Sequence, residues 1–126
     1  MNLFLTEDGV LKLGYYGLTT QAECYSINKM NCDGIRSFAP EVFEGGYEMK
    51  SDVWSFGIAL IEMMDMTPYS EYENYQVLTL NRAFVLPFDK HDIGSEELSD
   101  FLENCFIVKV PKRWSVSELL NVSVLR

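Results

Sequence analysis

The sequence predicts a mainly α-helical chain opened by one small β-hairpin. Three observations predict it. Two short apolar runs, Leu3-Phe4-Leu5 and Val10-Leu11-Lys12-Leu13, flank a polar turn that ends in Gly9. Beyond Pro40 the apolar residues recur at the i, i+3, i+4 spacing of a helix face, not at the two-residue spacing of a strand. No strand signal alternates with these helices, which excludes a parallel βα architecture.

Each element has a local reason. Thr6-Glu7-Asp8-Gly9 reads as the hairpin loop, with Gly9 free to take positive φ. Residues 18–38 are polar and mixed, without helical or strand period, and read as a long surface loop. Pro40 suits the first turn of a short helix running to about Glu44, which Gly45-Gly46 stops. Ser51 is the expected N-cap of the next helix, Asp52 supplies negative charge to its first turn, and the helix should run to about Met64. Val53, Phe56, Gly57, Leu60, Ile61 and Met64 follow one face, while Trp54, Ile58, Ala59 and Met63 fill much of the rest. A helix apolar nearly all round belongs in the middle of a core. Asn74 to Phe84 reads as a weaker helix. Ser95 caps another, striped by Leu98, Phe101, Leu102, Cys105 and Phe106. Pro111 interrupts, and Ser115-Val116-Ser117-Glu118 is a capping box opening a last short helix through Leu120.

The composition bounds the function. At 126 residues the chain is one domain at most, and 48% hydrophobic and 13% aromatic residues are those of a folded chain. A net charge of −9 argues against nucleic acid or an anionic membrane as partner. Cys24, Cys32 and Cys105 form neither a C-x-x-C pair nor a zinc spacing, so no disulfides and a reducing, cytoplasmic setting are expected. His91, the one histidine, lies among acids with no thiol near it and is not expected to be a ligand. The longest apolar run, Phe56 to Met64, is broken by Glu62 and too short to span a bilayer. The N-terminus lacks a basic region followed by an apolar core, so no signal peptide is expected.

Several motifs follow one another in a telling order. Asn2 precedes Leu3-Phe4-Leu5; strand Val10–Leu13 leads into Gly14-Tyr15-Tyr16-Gly17; Ala39-Pro40-Glu41 follows the long loop. Then come Asp52-Val53-Trp54-Ser55-Phe56-Gly57 and, late in the chain, Lys112-Arg113-Trp114-Ser115. This ordered set resembles the protein-kinase catalytic domain from the end of its catalytic loop onward, over nearly the whole chain. The flavour is nearest to Ste20-like and mitogen-activated kinase-kinase-like serine/threonine kinases. The resemblance implies a kinase-like large lobe over 1–126, incomplete because no small lobe is present, with 14–41 equivalent to the activation segment.

It also implies roles. Asn2 stands at the asparagine that holds the second Mg²⁺. The family's D-F-G motif is degenerate here: Tyr15 replaces its aspartate, Tyr16 its phenylalanine, and Gly17 is retained. Asp33-Gly34-Ile35-Arg36-Ser37-Phe38 is similar to the family's G-T-x-x-Y/F-M stretch with one residue deleted, Ile35 standing for the threonine. Thr19, Thr20, Tyr25 and Ser26 lie in the activation-loop equivalent. Glu41 and Arg113 match a buried ion pair, and Asp52 a residue that holds the catalytic-loop backbone. The family uses Mg-ATP. For this fragment no catalytic residue, no confident metal ligand and no cofactor are expected. What remains is an inactive, pseudokinase-like fragment with protein partners, presented by the helices after Glu41. A neighbour of the apolar Asp52–Met64 helix lies upstream of Asn2 in the family, so an exposed apolar face is expected. The alternatives are a true serine/threonine kinase whose N-terminal half is missing, and an interaction module unrelated to phosphate chemistry.

Overall fold

The computed structural model describes residues 3–14, 35–73, 76, 77, 79, 80, 83 and 85–122. The chain divides into two compact units, 1–34 and 35–126. In the first, β1 (Leu3–Leu5) and β2 (Leu11–Leu13) form an antiparallel hairpin in the register Leu3↔Leu13, Phe4↔Lys12, Leu5↔Leu11. Gly9 takes φ 82°, as the turn requires. Thr6 closes the turn twice, its hydroxyl donating to the Val10 carbonyl (3.0 Å) and accepting the Val10 N–H (2.9 Å).

The second unit is helical. A 3₁₀ turn at Ile35–Ser37 and another at Pro40–Glu44 lead into α1 (Met49–Met63). Residues 76, 77, 79 and 80 are helical within the Asn74–Phe84 segment. Then follow α2 (Glu96–Cys105) and α3 (Val116–Leu119), with 3₁₀ turns at Lys90–Asp92 and Val110–Lys112. The mainly α fold with one small hairpin is therefore what the sequence predicts. Pro40 opens its turn and Gly45 ends it in the left-handed region, at φ 80°. Ser95 caps α2 by accepting the Leu98 N–H (3.3 Å). Ser115 and Glu118 form both halves of the capping box on α3.

Two expectations are corrected. Ser51 is not an N-cap: α1 begins earlier, at Met49, with Glu48 as N-cap. The Ser51 hydroxyl instead accepts the Glu48 N–H (3.0 Å) and donates to Glu41 Oε1 (2.7 Å). The hydroxyl thus caps α1 from its third residue, as one half of a capping box with Glu48, and bonds a tertiary partner as well. α1 is also not buried all round. Val53, Trp54, Gly57, Ile58 and Ile61 form one buried stripe, while Phe56 and Met63 of the same helix are exposed. The stripe faces α2, against which α1 packs. Trp54 meets Phe106 edge to face at 5.1 Å, and Gly57 lets the helices close: a Cβ there would lie 2.7 Å from Phe106 Cζ. Leu102, Cys105 and Phe101 complete the core from α2.

Candidate functional site

Arg113 is the one fully buried cation among the described residues, at 0% exposure. It leaves the 3₁₀ turn Val110–Lys112 and reaches back toward the Pro40–Glu44 turn. Its Nη1 and Nη2 donate to Glu41 Oε1 (2.7 Å) and Oε2 (3.0 Å), a bidentate pair. Nη1 also donates to the Lys50 carbonyl and Nε to the Ile107 carbonyl, each at 2.8 Å. The guanidinium lies 5.1 Å from the Trp54 ring centroid. Burial alone would raise the Glu41 carboxyl, but the bonds from Arg113 and Ser51 outweigh it and hold Glu41 below the usual carboxylate range. The knot joins the Ala39-Pro40-Glu41 segment, the start of α1 and the chain after α2. Its chemistry is structural: each guanidinium nitrogen donates to a carboxylate or carbonyl of the chain itself.

Asp52 is exposed, and its Oδ1 accepts the Tyr47 hydroxyl. Asn2, Tyr15, Tyr16, Gly17, Thr19, Thr20, Tyr25 and Ser26 lie outside the described residues, as do Cys24 and Cys32. Cys105 is a buried free thiol, pushed up to about 12 by burial. Among the described residues no cluster of three His, Cys, Asp or Glu could hold a metal ion. No described helix is long and apolar enough to cross a membrane.

One arrangement escaped sequence reasoning. Arg36 Nη2 donates to the Tyr72 carbonyl (2.8 Å) and Nη1 to the Tyr69 carbonyl. The Arg36 side chain thereby holds the loop after α1 from outside. That loop contains two non-glycine residues in the left-handed region, Asp65 and Tyr69, both at φ 58°. Tyr69 is buried, which pushes its phenol well above the usual range. Beside them lies an open groove of about 550 Å³ lined by Arg36, Glu62, Asp65, Met66, Thr67, Pro68 and Ser70. An arginine in a polar stretch carries no sequence signal for such a reach.

The comparisons with known proteins agree with the order of the motifs. Residues 1–122 match the family model of protein tyrosine and serine/threonine kinases. The chain is 33% identical over 134 residues to the serine/threonine-protein kinase cst-1 of Caenorhabditis elegans, covering 99% of this chain and 26% of that protein. It is 30% identical over 124 residues to the serine/threonine-protein kinase pak-2 of the same organism, covering 95% and 24%. With the human mitogen-activated protein kinase kinase kinase 4 it shares 31% identity over 137 residues, covering 99% and 8%. The chain spans about a quarter or less of the length of these relatives. With a kinase family model matched over nearly its whole length and serine/threonine kinases among its relatives, the chain belongs to the protein tyrosine and serine/threonine kinase family.

Proposed function

We propose that this chain is a kinase large-lobe segment that does not transfer phosphate and serves instead as a cytoplasmic protein-binding surface, with residues 14–41 as its activation-segment equivalent. The observation that carries the reading is Tyr15, at the aspartate of the metal loop. Phosphoryl transfer depends on positioning and on charge neutralisation by Mg²⁺. Mg²⁺ binds hard anionic oxygens in a tight octahedron. Asn2 offers a neutral amide, and a phenol with an ordinary pKa of about 10 is uncharged at neutral pH. This donor set does not fit the ion. The Asp33–Phe38 segment moreover contains no threonine to help place a substrate. The fold-holding residues Glu41 and Arg113 are kept. Exposed Phe56 and Met63 on α1 supply apolar surface for a partner.

The test is a phosphotransfer assay with Mg-ATP and a generic basic protein substrate, read by mass spectrometry. No transfer is expected, and neither is thermal stabilisation by Mg-ADP. Transfer that disappears in Asn2→Ala would overturn the reading. It would establish the second one, an ATP-dependent serine/threonine kinase, which the names of the relatives favour. A transcript that carries an H-R-D motif and a glycine loop upstream of Met1 would strengthen that second reading.

A further inference from the structure

We infer that Ser70 is a phosphorylation site whose phosphate is read by Arg36. Ser70 is exposed on the loop after α1, and its hydroxyl accepts a 3.2 Å bond from Thr67 Oγ1. The Tyr69 carbonyl that Arg36 holds belongs to the peptide unit leading into Ser70. The guanidinium is therefore beside the Ser70 main chain, and both residues line the same groove. Glu71 and Glu73 follow Ser70 and are exposed, a pattern suited to a kinase whose substrate groove is basic. Glu62 and Asp65 also line the groove and repel a phosphate. Arg36 is the cation there that can bind it.

In the modification step the Ser70 Oγ forms a bond to the γ-phosphorus of ATP. The bond from that phosphorus to its bridging oxygen breaks, ADP leaves, and the hydroxyl proton passes to a carboxylate of the acting kinase. The acting enzyme is a separate, acid-directed serine/threonine kinase. A phosphoserine offers a dianion and a bidentate acceptor, so its bonds to the guanidinium add a charge–charge attraction that the neutral Tyr69 and Tyr72 carbonyls lack. Arg36 then leaves the Tyr69 and Tyr72 carbonyls. Tyr69, held at φ 58° without being glycine, loses that tether and the loop loosens. The site is thus a switch in the loop conformation.

The whole chain is incubated with Mg-ATP and an acid-directed serine kinase, and the site is located by mass spectrometry. Hydrogen exchange is then followed at the Met66, Ser70 and Tyr72 amides, which bond to the Ile61, Thr67 and Tyr69 carbonyls. Phosphate on Ser70 and exchange at least about threefold faster are expected, with neither in Ser70→Ala. In Arg36→Met the loop should exchange fast already, with no further change on phosphorylation. Where Arg36→Met does not fold, Arg36→Lys, which cannot span both carbonyls, gives the same comparison. Absence of phosphate at Ser70, or an equal response in the Arg36 variant, would overturn the inference.

Discussion

Replacing Glu41 by glutamine leaves the guanidinium of Arg113 with no counter-charge and no solvent. Arg113 is 0% exposed, so water cannot replace the lost carboxylate bonds at 2.7 and 3.0 Å. Among the described residues the Lys50 and Ile107 carbonyls, the Trp54 ring and the neutral amide oxygen of the glutamine would remain around the charge. Breaking one partner of a buried pair costs about 3–5 kcal/mol. The Glu41 side chain is itself 13% exposed, and glutamine keeps one acceptor oxygen, so the lower end, about 3 kcal/mol, applies. Against a total of about 5–15 kcal/mol this is a large fraction. At about 4 °C per kcal/mol the midpoint should fall by about 12 °C. Urea unfolding followed by Trp fluorescence reads the free energy directly. The pH dependence has a definite sign. Glu41 is depressed in the folded state, so its contribution is present above its unfolded value near 4.5 and is lost as pH falls through the folded value. The gap between wild type and Glu41→Gln should therefore be constant above about pH 6 and close in acid. Glu41→Leu combined with Arg113→Met should recover most of the loss, since an apolar pair of similar volume needs no charge partner. A Glu41→Gln loss below about 1 kcal/mol, the range of surface pairs, would refute the reasoning.

Four further outcomes follow from the structure. Gly57→Ala should lose about 1–3 kcal/mol in urea unfolding despite its better helix propensity, because the new Cβ falls 2.7 Å from Phe106 Cζ and 2.9 Å from Cys105 Cβ. Gly94→Ala, with nothing within 4 Å, should stay within about 0.5 kcal/mol of wild type. Burial, the larger effect, raises Cys105 to about 12 against the opposing Arg113 charge, so at pH 8 it should resist iodoacetamide until the chain unfolds; immediate alkylation of Cys105 in peptide mapping would contradict this. Ser115→Ala removes the cap on the Glu118 N–H and should cost about 1 kcal/mol of thermal stability.

Which features were legible depended on how far apart their parts lie. Gly9, Pro40, Gly45, Ser95 and Ser115 act within a turn or two of themselves, and local pattern placed each one. Ser51 was placed at the wrong capping position: it stands at the third residue of α1, where its hydroxyl accepts the Glu48 N–H and also donates to Glu41, ten residues away. The α1 stripe was blurred because composition alone does not say which side a neighbour takes. Phe56 and Trp54 look alike in sequence, yet Trp54 is buried against Phe106 while Phe56 is exposed. Glu41 and Arg113 are 72 residues apart, and only the family resemblance pointed to them as a pair. Arg36 had no such pointer, since its partners Tyr69 and Tyr72 lie 33 and 36 residues away.

The position of the Glu41–Arg113 knot bears on how such a chain could lose chemistry and keep its fold. The knot draws on Glu41, Lys50, Ser51, Trp54, Ile107 and Arg113, all within the helical unit. Its bonds run between side chains and carbonyls of the chain itself. On the reading proposed above, Tyr15 withholds an anionic oxygen from phosphate chemistry, whereas the knot's residues belong to other motifs. On that reading stability and phosphotransfer rest on different residues, and selection on the first could continue without the second. The knot's share is open to test: Glu41→Gln should unfold the helical unit more readily, by the roughly 3 kcal/mol worked out above.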